Sequence, residues 1–305
     1  MKTTAFIGID AGGTKTDICA CDISGKVLAR DISPGVNAAR LGPDKAAHHI
    51  AARVRHIGGE NALSLYAGVA GAGSPAVSAA IEAALRGLLP EIPHIAAASD
   101  AFNALNAVVG LGDGAALIAG TGSSAFVRIN GLSRQAGGRG FLIDDAGSGY
   151  WVGRACLNAA FRALDGRGPG TSLVGALEET LGMPLTCAIP EIYEKGVPFV
   201  ASLAPAAFAC AQSGDPTAAS IVSECARELA LLLRACQAPS GSVCVASGGM
   251  FRSAALRALV KEAAGPDIRL IYPDFPPVSG ALVAAAAACG VKISPIFPVE
   301  RKSEP

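Results

Sequence analysis

The chain has 305 residues, of which 51% are hydrophobic and 16% charged, so it can bury a sizeable core in about two domains. Its 25 basic and 25 acidic residues cancel, and no lysine- or arginine-rich block stands out, which argues against nucleic acid or an anionic membrane as partner. The N-terminus lacks a secretory leader pattern, and the longest apolar run is too short to span a bilayer. We therefore expect a soluble, cytoplasmic protein.

The first half of the chain predicts three strands followed by alternating helices and strands. An apolar strand from Phe6 to Asp10 leads through a glycine- and threonine-rich turn into a second strand, and Lys26–Ile32 is a third. Helices are then predicted at Pro43–Ile57, at Pro75–Leu89 and from about Ala101, with strands at Leu63–Val69 and Ile95–Ala98. This alternation favours parallel strands with right-handed connections, and therefore an α/β fold.

The second half starts again in the same way after a glycine-rich break at Gly110–Gly114. A strand at Ala115–Ala119, a glycine turn at Gly120–Ser124 and a returning strand at Ala125–Ile129 repeat the opening of the chain. The remaining predicted elements are helices at Gly149–Leu164, Thr171–Leu181, Phe199–Ser213, Pro216–Ala238, Arg252–Ala264 and Val278–Cys289, and strands at Ser242–Ala246 and Ile268–Tyr272. The tail beyond Pro295 is predicted to be loose.

The first glycine turn, Ala11–Thr16, has the residue types that bind phosphate. Its glycines allow close approach and offer backbone N–H groups to phosphate oxygens, and its threonine hydroxyls add donors. Asp10, at the end of the strand, can hold a hydrated Mg²⁺ ion. By itself the turn could be an ordinary hairpin beside an acid. The second glycine turn, Gly120–Ser124, favours duplicated halves that both donate N–H groups to one polyphosphate.

The cysteines and histidines do not suggest a metal centre. Nine cysteines are spread along the chain without a C-x-x-C pair, and the four histidines are scattered. Buried, reduced thiols are the favoured interpretation, because free cysteine packs as a small hydrophobe.

Five motifs in order resemble those of the N-acetylglucosamine kinase group of the BadF/BadG/BcrA/BcrD-type ATPases, within the actin–hexokinase superfamily. These motifs are Asp10–Thr14, Ser99–Ala101, Gly120–Ser123, Gly137–Gly149 and Ser247–Gly249. Each motif is weak alone, but the ordered set covers nearly the whole chain. The resemblance implies two ribonuclease-H-like lobes of the actin-like ATPase fold with a nucleotide cleft between them. It implies an N-terminal lobe at residues 1–112, on which a C-terminal helix at 278–297 packs back, and a second lobe at 113–277.

The resemblance also implies a reaction and its residues: ATP-dependent phosphorylation of an amino sugar, most directly N-acetylglucosamine to its 6-phosphate, with Mg²⁺. Asp100 matches the catalytic base, and Asp10 matches the acid that organises magnesium, mostly through water. The positions that match nucleotide and phosphate contacts are Asp10, Gly12, Gly13, Thr14, Lys15, Gly120, Thr121, Gly122, Gly214, Gly248, Gly249 and Ser253. Those that match sugar contacts are Asn37, Asp100, Gly138, Arg139, Gly140 and Asp145. Homodimers are common in the resembled family, and the sequence leaves the oligomeric state open.

Three of these residues have a structural alternative. Asp100 precedes a predicted helix and could be its N-cap, a role that aspartate fills well. Asp145 could be a loop acid, and Asn37 an ordinary turn asparagine.

Two departures from the family pattern leave the sugar open. The family usually has tryptophan where this chain has Arg139, and glutamate where it has Ala146. Glucosamine or another hexose, including an acidic one, is the alternative substrate, because a guanidinium group can grip a carboxylate in bidentate fashion. Arg139 could instead pair with Asp144 or Asp145.

Two other function classes compete with the kinase. The same superfamily contains ATPase activators of dehydratases, which hold an iron–sulfur cluster with cysteines in glycine-rich context. Here no cysteine lies within or immediately beside the glycine motifs. A catalytically silent sugar or nucleotide sensor would bind without releasing ADP.

Overall fold

The computed structural model of the chain describes residues 4–295. The tail beyond Pro295, predicted to be loose, and the last two positions of the predicted helix at 278–297 lie outside this range. The described residues form two compact units. Unit 1 consists of the chain up to Asp113 together with the chain from Asp274 onward, and unit 2 consists of Gly114–Pro273.

Unit 1 is built on a five-stranded mixed sheet in the order β3-β2-β1-β4-β5. Its strands are β1 (Phe6–Ala11), β2 (Lys15–Cys21), β3 (Val27–Pro34), β4 (Ser64–Val69) and β5 (His94–Ser99). Its first helices are α1 (Ala38–Leu41), α2 (Pro43–His56), α3 (Pro75–Leu88) and α4 (Ala101–Val109). Strand β1 pairs antiparallel with β2 and parallel with β4. Because β1, β4 and β5 run parallel, Asp10, Ala70 and Asp100 all lie at their carboxyl-terminal edge.

Unit 2 repeats this sheet, with the order β10-β9-β6-β7-β8. Its strands are β6 (Gly114–Ala119), β7 (Ser123–Ile129), β8 (Leu132–Gly137), β9 (Val243–Ser247) and β10 (Arg269–Ile271). Its helices are α5 (Gly149–Leu164), α6 (Leu173–Leu181), α7 (Leu185–Ser202), α8 (Pro205–Gln212), α9 (Pro216–Ala235) and α10 (Ala254–Ala264). In both units the first three strands form an antiparallel meander, and the last two run parallel to the first. The predicted α/β fold class is confirmed.

The last helix, α11 (Val278–Ala287), belongs to the core of unit 1. Its buried residues, among them Val278 and Leu282, pack against Phe6 and Tyr66 on one face of the sheet. The other face is covered by α2 and α3 through an aliphatic core that includes Ile50. Unit 1 is therefore a sheet between two layers of helix, and one layer is completed only by the far end of the chain.

The single helix predicted at Phe199–Ser213 is divided between two helices in the structure, so the predicted continuity is wrong. The structure ends α7 at Ser202 and begins α8 at Pro205, because proline has no N–H to continue a helix but suits its first turn. The first part of α7 was not predicted, since Pro190 and Pro198 are usually breakers. The helix is interrupted at Gly196, whose φ of 64° is not helical. Burial of residues such as Leu185 against the unit 2 core stabilises this irregular helix.

Across residues 4–295, none of the helices combines the length and the apolar character needed to cross a membrane. Seven of the nine cysteines are buried, and all nine are free thiols.

Candidate active site

The first glycine turn is backed by a second segment of chain. The N–H of Gly12 donates to the carbonyl of Lys15 at 2.9 Å and closes the turn between β1 and β2. From behind, the N–H of Gly35 donates to the carbonyl of Thr14 at 3.1 Å. A Cβ atom at position 35 would lie 2.5 Å from the backbone of Gly13, so glycine is required there. The turn is thus held in shape, while Gly13, Thr14 and Lys15 remain exposed.

Asp10 is the last residue but one of β1, beside this turn, and is half-buried. Burial raises its pKa from 3.8 to about 7; the hydrogen bond from Asn103 opposes this shift, while the nearby charges of Asp100 and Asp17 add to it. A carboxylate in such surroundings is unfavourable without a cation, so Asp10 fits the predicted magnesium role. Among residues 4–295 no cluster of three or more side chains could hold a metal, so an ion at Asp10 would need water and phosphate oxygens as further ligands.

Asp100 lies between β5 and α4. It occupies the N-cap position of α4, but its side chain makes no capping hydrogen bond. Burial raises its pKa from 3.8 to about 6, opposed by hydrogen bonds from the Ser99 hydroxyl and the Ala101 N–H. The carboxylate is half-buried and makes no N-capping bond further into α4, so it remains available as a general base.

Asn37 lies at the same edge of the sheet and does cap a helix. Its side-chain oxygen accepts from the N–H of Ala39 at 2.9 Å at the start of α1. The next residue, Ala38, donates its N–H to the carbonyl of Ala70 at the end of β4, at 2.8 Å. The side-chain oxygen of Asn37 is therefore occupied by the helix cap. The NH₂ group of the same side chain is the part that could bind a sugar hydroxyl.

In unit 2, Asp145 packs against the second glycine turn. The carboxyl group accepts from the N–H of Ser123 at 3.4 Å, and a Cβ at Gly122 would lie 2.9 Å from its Oδ2. Burial raises the pKa of Asp145, although the N–H groups of Ser123 and Gly140 lower it. Asp145 is 8% exposed, so it is not a solvated loop acid.

The segment before Asp145 carries the other predicted sugar contacts. Gly138, Arg139 and Gly140 are exposed, and both glycines have positive φ angles, of 72° and 92°. Within the described chain, Arg139 forms no ion pair with Asp144 or Asp145. The guanidinium group therefore remains available to a ligand.

One large pocket of unit 2, with a volume of about 1130 Å³, contains part of the predicted nucleotide site. Gly120, Thr121, Gly249 and Ser253 line it together. The predicted contacts Gly122, Gly214 and Gly248 do not: Gly122 lies against Asp145, Gly214 precedes α9, and Gly248 follows β9. Apolar side chains form much of the remaining wall, including Pro198, Phe208, Val222 and Met250. Such a pocket, apolar with a few polar groups at one side, suits a nucleotide base and ribose.

Sequence reasoning missed two parts of this arrangement. Asn103, which donates to Asp10, was not singled out, although an asparagine inside the apolar helix Ala101–Val109 is a buried polar group that needs a partner. The pocket wall from α7 and α8 could not be found, because it depends on how those helices pack.

The repeated sheet, the paired glycine turns and the acids at the strand ends define the class of duplicated α/β ATPases and kinases. The chain belongs to the BadF/BadG/BcrA/BcrD ATPase family, whose sequence profile matches residues 7–285. The family identified from the ordered motifs is confirmed.

Two curated relatives and one solved structure resemble the chain over most of their length. The chain is 32% identical to an N-acetyl-D-glucosamine kinase of Dictyostelium discoideum over 250 residues, 75% of this chain and 78% of the relative. It is 30% identical over 239 residues to an N-acetylmuramic acid/N-acetylglucosamine kinase of Clostridium acetobutylicum, with the same coverage. A structure from Chromobacterium violaceum, provisionally described as an N-acetylglucosamine kinase, matches with a TM-score of 0.73 at 23% identity. It covers 93% of this chain and 99% of that one, and shows the shared fold.

Proposed function

We propose that the chain is a sugar kinase that transfers the γ-phosphoryl group of ATP to the 6-hydroxyl of an amino sugar, N-acetylglucosamine first. The observation that carries the proposal is Asp100, a half-buried carboxylate with a raised pKa and no capping bond, at the sheet edge that also carries Asp10. The names of the two curated relatives support the same substrate class. An enzyme that consumes ATP for sugar metabolism is expected in the cytoplasm.

In the proposed reaction Asp100 accepts the proton of the sugar hydroxyl. The hydroxyl oxygen forms a bond to the γ-phosphorus as the bond from that phosphorus to the β–γ bridging oxygen breaks, releasing ADP. A base with pKa near 6 is mostly deprotonated at neutral pH yet basic enough to take the proton. Asn37 would orient the sugar through its amide NH₂ group, and the catalytic contribution of both residues is mainly alignment.

In unit 1, phosphate would bind to the backbone of the first glycine turn. In the first turn, the exposed backbone around Gly13 and Thr14 is held ready by Gly35, so little ordering is needed when phosphate binds. Lys15 adds a positive charge at the same turn. Magnesium, when held at Asp10 through water, would neutralise charge on the phosphate oxygens.

The unit 2 pocket would bind the adenosine part of ATP. Gly120, Thr121 and Gly249 would approach the phosphates, and the apolar wall near Phe208 would cover the base. Filling the pocket with Ala209→Trp is expected to weaken ADP binding at least tenfold, measured by calorimetry. Ala83→Trp, an exposed position in α3 of unit 1, is the matched control and should leave ADP affinity unchanged. Equal ADP affinity in both variants would contradict this placement of the nucleotide.

An acidic amino sugar is the second substrate that the structure favours. Arg139 is exposed without an ion pair inside the described chain, and one relative is named for N-acetylmuramic acid as well as N-acetylglucosamine. Arg139→Trp is expected to lower kcat/KM for muramic acid at least about tenfold more than it lowers kcat/KM for N-acetylglucosamine. The reason is that a guanidinium–carboxylate contact is charge-assisted. An equal loss of kcat/KM on the neutral and the acidic sugar would contradict a contact between Arg139 and the carboxylate of the substrate.

The test of the proposed function is a coupled assay of ADP release with Mg-ATP. The panel contains N-acetylglucosamine, glucosamine, N-acetylmannosamine, glucose and muramic acid. Asp100→Asn should reduce the rate of sugar-dependent ADP release by about 100-fold or more. Asp165→Asn, an exposed surface acid paired with Arg167, makes the same chemical change as a control and should keep full activity. A flat panel with intact ATP binding would leave the kinase proposal without support and favour a sensor.

A further inference from the structure

Asn103 is a fully buried amide aimed at the proposed magnesium acid. It lies on α4, one helical turn after Asp100. Its side-chain NH₂ group donates to Asp10 Oδ1 at 2.7 Å and to the carbonyl of Ile9 at 3.2 Å. The NH₂ group therefore makes both of its hydrogen bonds to residues near the end of β1. The amide oxygen is buried and, among the described residues, has no hydrogen-bond partner.

The surrounding elements leave little space for this side chain to move. A Cβ at Gly68 on β4 would lie 2.3 Å from both the nitrogen and the oxygen of the amide. On the other side, a Cβ at Gly280 on α11 would lie 1.7 Å from the backbone carbonyl oxygen of Asn103. Side chains are absent from β4 and α11 at the points where they meet Asn103. Gly68 thus confines the amide and Gly280 confines the backbone of Asn103, while the hydrogen bonds to Asp10 and Ile9 determine that the NH₂ group faces β1.

An amide is suited to this position because it donates without carrying charge. A lysine or arginine there would neutralise Asp10 and compete with a cation. The amide hydrogen bond occupies one carboxylate oxygen and leaves the other, Oδ2, for a ligand. Groups that orient metal ligands in this way strengthen metal binding without touching the metal.

We propose that Asn103 is a positioning residue that fixes the Asp10 carboxylate for the hydrated magnesium ion and ties it to α4, the helix that follows Asp100. This inference rests on the proposed function, because it takes Asp10 as the magnesium acid and Asp100 as the base. Asn103 itself touches neither the substrate nor the metal. It connects the two acids through one short helix, so the metal and the base keep a constant separation.

The experiment compares Asn103→Ala and Asn103→Leu with the unchanged chain. Calorimetry measures the affinity for a non-hydrolysable ATP analogue with and without Mg²⁺, and steady-state assays measure kcat and KM for N-acetylglucosamine. We expect the magnesium-dependent gain in analogue affinity to fall 10- to 100-fold in both variants, with kcat falling by a similar factor. Affinity for the analogue without Mg²⁺ and KM for the sugar should change less than threefold.

The two variants separate hydrogen bonding from packing. Leucine has nearly the shape of asparagine but no donor, so it preserves volume and removes the bond to Asp10. Alanine needs less room beside Gly68 and carries the same test if leucine prevents folding. Asn106→Leu, at a buried asparagine one turn further along α4, is the matched control and should keep the magnesium-dependent gain.

Each outcome decides between the two proposals. If the unchanged chain gains no affinity from Mg²⁺, the magnesium role of Asp10 fails, and this inference fails with it. If the unchanged chain gains affinity and the Asn103 variants gain equally, the positioning role is overturned while the proposed function stands. If Asn103→Leu keeps the magnesium-dependent gain in affinity while Asn103→Ala loses it, the effect is one of packing, and the positioning role is also overturned. The same conclusion follows if Asn106→Leu loses the gain as fully as the Asn103 variants.

Discussion

Asp10 and Asp100 illustrate at the residue scale how strand ends create reactive carboxylates. Asp10 lies near the end of β1 and Asp100 follows β5, two parallel strands of one sheet, and burial raises the pKa of each, to about 7 and about 6. Their surroundings differ: Asp10 accepts a hydrogen bond from the side-chain amide of Asn103, whereas the hydrogen bonds that lower the pKa of Asp100 come from the Ser99 hydroxyl and from nearby backbone N–H groups. The same residue type is thereby fitted to two tasks, cation binding and proton transfer.

The raised pKa of Asp100 predicts the acid limb of the pH profile. Below pH about 6 the base is protonated and cannot accept the hydroxyl proton, so kcat/KM should fall tenfold for each pH unit. The pH profile is measured at saturating Mg²⁺, because the pKa of Asp10 is also raised and a bound cation opposes its protonation. The acid limb then reports on Asp100. A rate that stays constant down to pH 5 would contradict Asp100 as the base.

At the element scale, Asp215 joins two helices of unit 2. Its Oδ1 accepts from the N–H of Ala218 at 2.9 Å and caps α9. Its Oδ2 accepts from the hydroxyl of Thr171 at 2.8 Å and from the N–H and hydroxyl of Ser172 at 2.6 and 2.9 Å. Although desolvation raises its pKa, these hydrogen bonds outweigh desolvation and lower it from 3.8 to about 2. One carboxylate thus ties the starts of α6 and α9 together.

Asp215→Ala is expected to destabilise the folded state by roughly 2 kcal/mol or more at pH 7, because it removes a cap and several charge-assisted hydrogen bonds. The folded pKa is lower than the unfolded one, so this stabilisation is complete above pH about 4 and disappears as the pH falls through about 2. Urea unfolding at pH 7 and pH 2.5 measures both effects. The exposed control Asp165→Ala should change stability by less than about 0.5 kcal/mol. Equal stability losses in the two variants at pH 7 would contradict this role for Asp215.

The contact between α4 and α11 gives a second prediction at this scale. Gly280→Ala places a Cβ where the carbonyl oxygen of Asn103 lies, so we expect a loss of about 1–3 kcal/mol in the free energy of unfolding. Gly87→Ala, in α3, meets no atom within 4 Å and should be neutral or stabilising by up to about 1 kcal/mol. Chemical denaturation of both variants provides the comparison. If the two curves coincide, the close approach of α11 is not as described.

At the scale of the whole molecule, the chain folds as two units with separate cores, and unit 1 needs both ends of the sequence. Helix α11 contributes Val278 and Leu282, both fully buried, to the core that contains Phe6. Burial of a valine or leucine side chain stabilises by about 1.5–3 kcal/mol, so the helix carries much of the stability of unit 1.

A chain that ends at Pro273 should therefore fail to fold in unit 1. We expect a large loss of soluble yield and of the cooperative thermal transition, measured by circular dichroism. Leu282→Ala in the full chain is a milder comparison, expected to lower stability by about 2–5 kcal/mol. A truncated chain that melts within a few degrees of the full one would contradict the dependence of unit 1 on α11.

The sequence by itself determined the class of fold, the duplication and most of the candidate site. These features are local: in the first half a strand, the acid near its end and a glycine turn lie within about ten residues, and the second half repeats the strand and the glycine turn. The strand ends at Asp10 and Asp100 could be aligned because parallel neighbouring strands end at one edge. The first part of helix α7 was missed because its prolines disfavour a helix locally, while burial against the unit 2 core outweighs that preference.

Only the tertiary structure decided which distant groups meet. Asn103 and Asp10 are 93 residues apart, and Thr171 and Asp215 are 44 apart, so no local pattern joins them. The unit 2 pocket combines α7, α8 and the residues after β9, and its apolar wall exists only when they pack. Local patterns report backbone preferences and burial within a few residues. Contacts between buried polar groups depend on the packing of whole elements, which is why they appeared only in the folded chain.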